Sequence, residues 1–308
     1  MSADGARRNH LDPLALGTLL LCCTLWGLNQ VATKVALVDI PPLTQAGLRS
    51  AGAALLLLAW ASWRRVPLWR RDGSLGAGLL AGVLFGAEFA CIFVGLQFTT
   101  ASRMVVFIYL APFVVALGMP FITALERLRP LQWAGLLVAF AGVGLAFAEG
   151  FAGTSGAAPA GTPASSATAL GDALGVLAAL LWGATTLVVR GSRLAALAPE
   201  KTLLYQLVVS ALVLVIAAPL AGEPWPANPS TLSVLSLLFQ TVVITFASYL
   251  AWFWLVRHYA ATTISSFTLL TPVSGLVFGV LLLNEPLTWR LLLALLAVGT
   301  GLLLVNRR

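Results

Sequence analysis

Charge is what this chain has least of. Lysine, arginine, aspartate and glutamate make up 9% of its 308 residues, against 59% hydrophobic, where soluble domains run at about a quarter charged. A soluble core of this size would need a polar shell, and there is too little polar material to build one. That excludes a soluble enzyme or binding module and leaves a polytopic membrane protein. Histidine and cysteine are scarcer still, at two and three residues. Cys22, Cys23 and Cys91 lie inside apolar runs without metal or redox spacing and read as small core residues. His258 has Arg257 beside it and no second histidine or cysteine near, and His10 is a tail residue. No metal and no cofactor are expected.

Other absences narrow the function. No Gly-rich loop ending in Lys-Ser/Thr occurs, so direct ATP drive is not expected. An integral-membrane enzyme would cluster acids, histidines or a nucleophile at one interface. A channel would carry a filter-like loop or rings of like charge. Neither pattern is present. The net charge of +7 comes from short basic clusters between apolar runs. Such clusters are topology signals, not the continuous basic face of a nucleic-acid binder.

What the chain does have is long apolar runs. A span needs about 20 mostly apolar residues, and cutting at polar and Pro/Gly breaks predicts ten. They run over 14–37, 43–62, 75–97, 103–124, 131–148, 170–190, 202–220, 230–256, 262–283 and 287–305. Arg7 and Arg8 precede the first, but no small-residue cleavage site follows, so it reads as a retained span. With both termini cytoplasmic, only Lys34, Arg49, Arg103 and Arg290 of the 18 basic residues fall outside or within the membrane. The positive-inside rule strongly favours that orientation. Residues 149–169, rich in Ala, Gly, Ser and Pro, read as a flexible external linker. It separates a first unit, 1–148, from a second, 170–308.

The two units repeat each other. LWG at 25–27 returns at 181–183, with Lys34 answered by Arg190. YLAP returns as LLTP, setting Pro112 against Pro272. Glu126 and Glu285 follow the two prolines, and AGVGL at 141–145 matches VGTGL at 298–302. Five spans is an odd number, so the second copy enters the membrane from the opposite side. The expected fold is therefore all-α, ten transmembrane helices as two inverted five-helix repeats. In that architecture substrate binds near midplane between the halves, and each face has an equivalent gate.

The ordered duplication of LWG and of the proline-then-Glu phrase resembles the drug/metabolite transporter superfamily, in its EamA branch, over essentially the whole chain. In texture it is similar to the aromatic amino-acid exporter branch. The resemblance implies a secondary transporter of the cell inner membrane that exports small metabolites, amino acids among them. It also implies a cavity walled by the first four spans of each half, with the fifth outside it. A multidrug or organic-cation exporter is the alternative.

Several residues are candidates to carry transport. Glu88 lies 13 residues into the third span, about 20 Å deep at 1.5 Å per residue. Arg49 lies six residues into the second, roughly 9 Å deep from the other side. A charge at the membrane centre costs about 2.5–3.5 kcal/mol on insertion scales, so it is paired, protonated or functional. Two readings stay open: an Arg49–Glu88 ion pair, and a substrate or proton-coupling site at Glu88. Trp26 and Asn29 in the first span, and Trp182, Thr185 and Thr186 in the sixth, suit a small polar ligand or interhelical hydrogen bonding. Tyr109, Gln240 and Tyr249 share that ambiguity. Pro112 and Pro272 should each free the carbonyl four residues back, Ile108 and Thr268, as moving gates or as fixed kinks. Gly78, Gly82, Gly86, Gly275 and Gly279 form small-residue stripes for close helix packing. Glu126 and Glu285 should cap the starts of the fifth and tenth spans. A small-molecule substrate and membrane lipid are the expected partners.

Overall fold

The computed structural model describes residues 12–122, 129–152, 165–259, 268 and 270–306. Glu126, His10, the middle of the linker and the start of the ninth span lie outside the described residues. Ten helical passages are seen among the rest. They are α1 (Pro13–Ala36), α2 (Pro42–Trp63), α3 (Leu75–Gly95), α4 (Ala101–Ile108) continued by α5 (Ala111–Ile122), and α6 (Pro130–Ala152). The second half holds α7 (Ser165–Arg190), α8 (Pro199–Leu220), α9 (Thr231–Leu238) leading through a π-helical stretch, Phe239–Ser248, into α10 (Tyr249–His258), then α11 (Leu270–Leu283) and α12 (Trp289–Asn306). The α7 start, at Ser165, precedes the expected start at 170, since the Ser, Ala and Thr residues there tolerate helix well enough to extend it.

Local chemistry sets the ends. Pro13 occupies the first turn of α1, where a missing N–H costs nothing, and the Asp12 carboxylate accepts from Ala15 N at 2.8 Å. Pro42, Pro130 and Pro199 open α2, α6 and α8 in the same way. Among the described residues, six helical stretches are long and apolar enough to cross a membrane: 13–36, 75–95, 101–122, 167–190, 199–220 and 231–252. Helix α2 is as long, at 22 residues, but carries Thr44, Gln45, Arg49 and Ser50, all buried. Its polar stripe faces protein, the placement a bilayer enforces on polar side chains.

Helix partnerships reveal the repeat. Helix α1 packs along α11, and its counterpart α7 packs along α4 and α5. The third span, α3, lies against α7 and α8. Its counterpart, the eighth span, lies against α1 and α2. Spans two and seven, α2 and α8, pack on each other, and so do spans five and ten, α6 and α12. Exchanging first-half for second-half spans maps the contacts of spans one and three onto those of six and eight, and leaves the two–seven and five–ten contacts unchanged. That is the signature of two interlocked inverted repeats.

The glycine stripes serve this interlocking. A Cβ on Gly78 would stand 2.5 Å from the Tyr205 ring, and one on Gly86 would stand 3.2 Å from Ser210 Cα, so α3 and α8 meet almost backbone to backbone. Gly301 on α12 similarly faces the Gly135 carbonyl of α6, 2.5 Å from where its Cβ would be.

Charged residues near the helix ends tie the halves together. Asp72, in the loop between α2 and α3, accepts from Lys201 Nζ at 2.7 Å and from the Ser74 hydroxyl. The lysine first, and Ser74 with it, hold the Asp72 carboxyl down to about 2, so it is ionised throughout the neutral range. On the opposite face Glu223 accepts from Leu43 N at 2.9 Å and Thr44 N at 2.8 Å, at the start of α2. Asp39 accepts from the Ser230 hydroxyl and backbone and from Ser233 Oγ, which keeps its carboxyl below the usual range.

Glu285 corrects an expectation. It does not cap its own following helix; Thr288 does, accepting from Leu291 N at 3.2 Å. Asn284, at φ 52°, ends α11 in a left-handed residue, and Glu285 N returns to the Gly279 carbonyl at 3.2 Å. That turn aims the Glu285 carboxylate at the start of α4. There it accepts from Ala101 N at 2.7 Å, Ser102 N at 2.9 Å and Lys34 Nζ at 3.4 Å. The acid complements a buried helix N-terminus, on another span than the one expected.

Candidate functional site

One of the duplicated prolines, Pro112, lies in the first turn of a helix, where the sequence led us to expect a mid-helix kink. At Pro112 the fourth span breaks outright. Helix α4 ends at Ile108, Tyr109 and Leu110 turn, and α5 begins at Ala111. Pro272 is the third described residue of α11, and residue 269 before Leu270 lies outside the described residues. The physical cause is the expected one, since a proline cannot donate to the carbonyl four residues back. The outcome at Pro112 is two short helices joined at Tyr109.

Trp26 on α1 donates from Nε1 to Ser248 Oγ at 2.8 Å, and its ring meets Tyr249 edge-on at 6.3 Å and Trp252 at 5.0 Å. First and second halves are thus joined by an aromatic cluster. Gln240 is buried where the eighth span is π-helical, a wider winding often found at functional sites. Its Oε1 accepts from Thr33 Oγ1 at 3.2 Å and Gln45 Nε2 at 3.3 Å. Asn29 is buried nearby on α1 with its Oδ1 unpartnered. Tyr109 and Trp182 form a separate edge-to-face pair at 6.0 Å. Thr185 and Thr186 direct their hydroxyls back to the Leu181 and Trp182 carbonyls of their own helix. The structure therefore brings Trp26 to Tyr249 and Gln240 to Thr33 and Gln45, while Tyr109 meets Trp182, which packs against the same buried cluster as Tyr249.

Arg49 and Glu88 occupy the interior, 0% and 5% exposed. They feel each other's charge, and both lie within electrostatic reach of Tyr249. They do not form the ion pair that their depths suggested. No nitrogen of Arg49 has a hydrogen-bond partner, and Glu88 Oε2 has none. The guanidinium instead stacks over aromatic rings, 3.8 Å from the Phe89 centroid and 5.2 Å from Phe93. The flat face of the guanidinium thus lies on aromatic rings, and its in-plane nitrogens are not in contact with the Glu88 carboxylate.

Sequence reading missed the Phe platform and the Thr33–Gln45–Gln240 cluster. A signal existed for the first. Phe85, Phe89 and Phe93 recur every four residues along the helix that carries Glu88. Nothing comparable announced the π-helix.

The sequence profile of the EamA-like transporter family matches residues 13–148 and 169–307. An uncharacterized transporter of Archaeoglobus fulgidus is 27% identical over 273 residues, covering 87% of this chain and 88% of its own. A protein of Escherichia coli named as a probable amino-acid metabolite efflux pump is 27% identical over 292 residues, covering 92% and 91%. One solved crystal structure superposes with a TM-score of 0.64 at 19% identity, over 95% of this chain and 97% of that one, which bears on the fold alone. Ten interlocked helical passages, a duplicated motif set and a match to the family across both halves lead to one conclusion: the chain is a multi-pass membrane protein of the EamA-like transporter family.

Proposed function

We propose that this protein is a secondary transporter that exports small metabolites, chiefly amino acids and aromatic ones among them, by alternating access. One observation carries the reading. Opposite charges from two spans, Arg49 and Glu88, are buried without direct partners beside the Trp26–Tyr249 junction of the two halves. Buried charges are costly, and a membrane protein retains them where they serve a substrate or ion pathway. The name of the Escherichia coli relative supports the substrate class. An organic-cation exporter fits less well, since a cation would have to settle beside the Arg49 guanidinium. Residues 1–148 and 170–308 act as the two repeats in this scheme, joined by an external linker at 149–169. Purified protein in proteoliposomes should show saturable counterflow of amino acids, strongest for aromatic ones, and little of nucleosides or organic cations. Uptake confined to organic cations would overturn the substrate assignment.

The orientation is part of the same proposal, with both termini cytoplasmic and the protein in the inner membrane. It places Val38 outside and Trp69 inside, two residues that are 81% and 84% exposed. In a variant lacking Cys22, Cys23 and Cys91, Val38→Cys in intact cells should react with a membrane-impermeant thiol reagent. Trp69→Cys should react only after permeabilisation. The reverse pattern would invert the topology.

A further inference from the structure

We infer that Arg49 anchors the carboxylate of the transported amino acid and Glu88 its ammonium group, so that the site selects for a zwitterion. The inference rests on the amino-acid reading above. Its basis is how the two charges are held. The Phe89 ring at 3.8 Å occupies one face of the guanidinium, and cation–π attraction acts through that face. The N–H donors lie in the guanidinium plane, and Nε, Nη1 and Nη2 are all buried without partners. A planar fork of in-plane donors is the arrangement that receives a carboxylate bidentately. Glu88 precedes Phe89 on the same helix and keeps Oε2 unpartnered in the buried interior.

Mutual neutralisation explains this poorly. Two opposite charges in a low-dielectric interior attract strongly, and a pair serving only each other closes into direct contact with its lone pairs and protons satisfied. Here both stay within electrostatic influence, yet donors and acceptor remain unmatched. A ligand with one carboxylate and one ammonium satisfies both at once, whereas a ligand with a single charge leaves the other residue unmatched. The edge-to-face cluster of Trp26, Tyr249 and Trp252 provides an apolar wall for an aromatic side chain.

The test compares phenylalanine, phenylethylamine, which lacks the carboxylate, and phenylpropionate, which lacks the amine, as competitors in proteoliposome counterflow. In wild-type protein phenylalanine should compete at least about 10-fold better than either analogue. Arg49→Gln should weaken phenylalanine by about 10- to 100-fold and leave phenylethylamine unchanged. Glu88→Gln should weaken phenylalanine and phenylethylamine but spare phenylpropionate. Arg49→Lys keeps the charge, loses the fork and should weaken phenylalanine by about 10-fold, which keeps the test open where the glutamine variant does not fold. Equal weakening of phenylalanine and phenylethylamine by both Arg49 variants would reduce Arg49 to a structural residue. A wild type that carries phenylethylamine but not phenylalanine would overturn the amino-acid reading itself. A wild type that prefers phenylalanine, with variants that do so equally, would overturn this inference alone.

Discussion

Asp172→Ala should destabilise the protein by about 3 kcal/mol, the lower end of what losing one partner of a buried ion pair costs. Asp172, near the start of α7, is 0% exposed. Its carboxylate accepts from Thr99 Oγ1 at 2.7 Å, from Arg103 Nε at 3.1 Å and from Arg103 Nη2. The same Nη2 donates to the Ala146 carbonyl of α6, so one guanidinium ties α4, α6 and α7 together. Alanine removes the countercharge and leaves a cation and a hydroxyl in a site built for an anion. Replacing Asp172 and Arg103 together by leucine should recover most of the loss, because two apolar groups need no solvation. Thermal unfolding of the purified single and double variants, followed by monodispersity, reads both effects. An alanine variant as stable as wild type would remove the ion pair from any account of how the halves are held.

Gly27→Ala should cost about 3 kcal/mol and Gly183→Ala about 1 kcal/mol, the upper and lower ends of overpacking. These glycines close the two LWG copies, so sequence symmetry predicts equal effects. The structure predicts unequal ones. A Cβ at Gly27 would meet Gly275 N at 2.6 Å and the Ser274 carbonyl carbon at 2.9 Å, backbone atoms that move only if α11 moves as a whole. At Gly183 the nearest atoms are Cγ1 and Cβ of Val114, at 2.5 and 2.6 Å; rotation about χ1 relieves only the first, but the nearest backbone atom, Ala111 O, stands farther off at 3.4 Å. Melting temperatures of the two variants, measured side by side, decide. If Gly183→Ala proves the more damaging, the backbone contact at Gly27 is looser than the structure has it.

Both predictions draw on the point at which sequence and structure part. Composition was enough for the class, because a chain with 9% charge has no means of covering a soluble core. Periods of about 20 apolar residues were enough for the spans, since bilayer thickness sets that length. Repeated motifs in copies of five spans each were enough for inversion, because an odd number of spans per copy turns the second one over. These are one-dimensional consequences of the solvent and of chain geometry.

Which residues meet was another matter. The sequence contained LWG twice and the proline phrase twice, but gave no sign that each LWG packs on the other half's proline helix. Gly27 meets Ser274 and Gly275 just beyond Pro272, and Gly183 meets Ala111 and Val114 around Pro112. Depth along two spans suggested that Arg49 and Glu88 would pair, yet depth fixes one coordinate only. Helix rotation and the Phe89 ring decided the other two, and the charges stack and approach without joining. Glu285 likewise looked like the cap of the helix that follows it, and the left-handed turn at Asn284 sent it to α4. Hydrophobicity and length act along the chain and can be read there. Pairing of side chains depends on azimuth and distance between helices, which only the packed bundle decides.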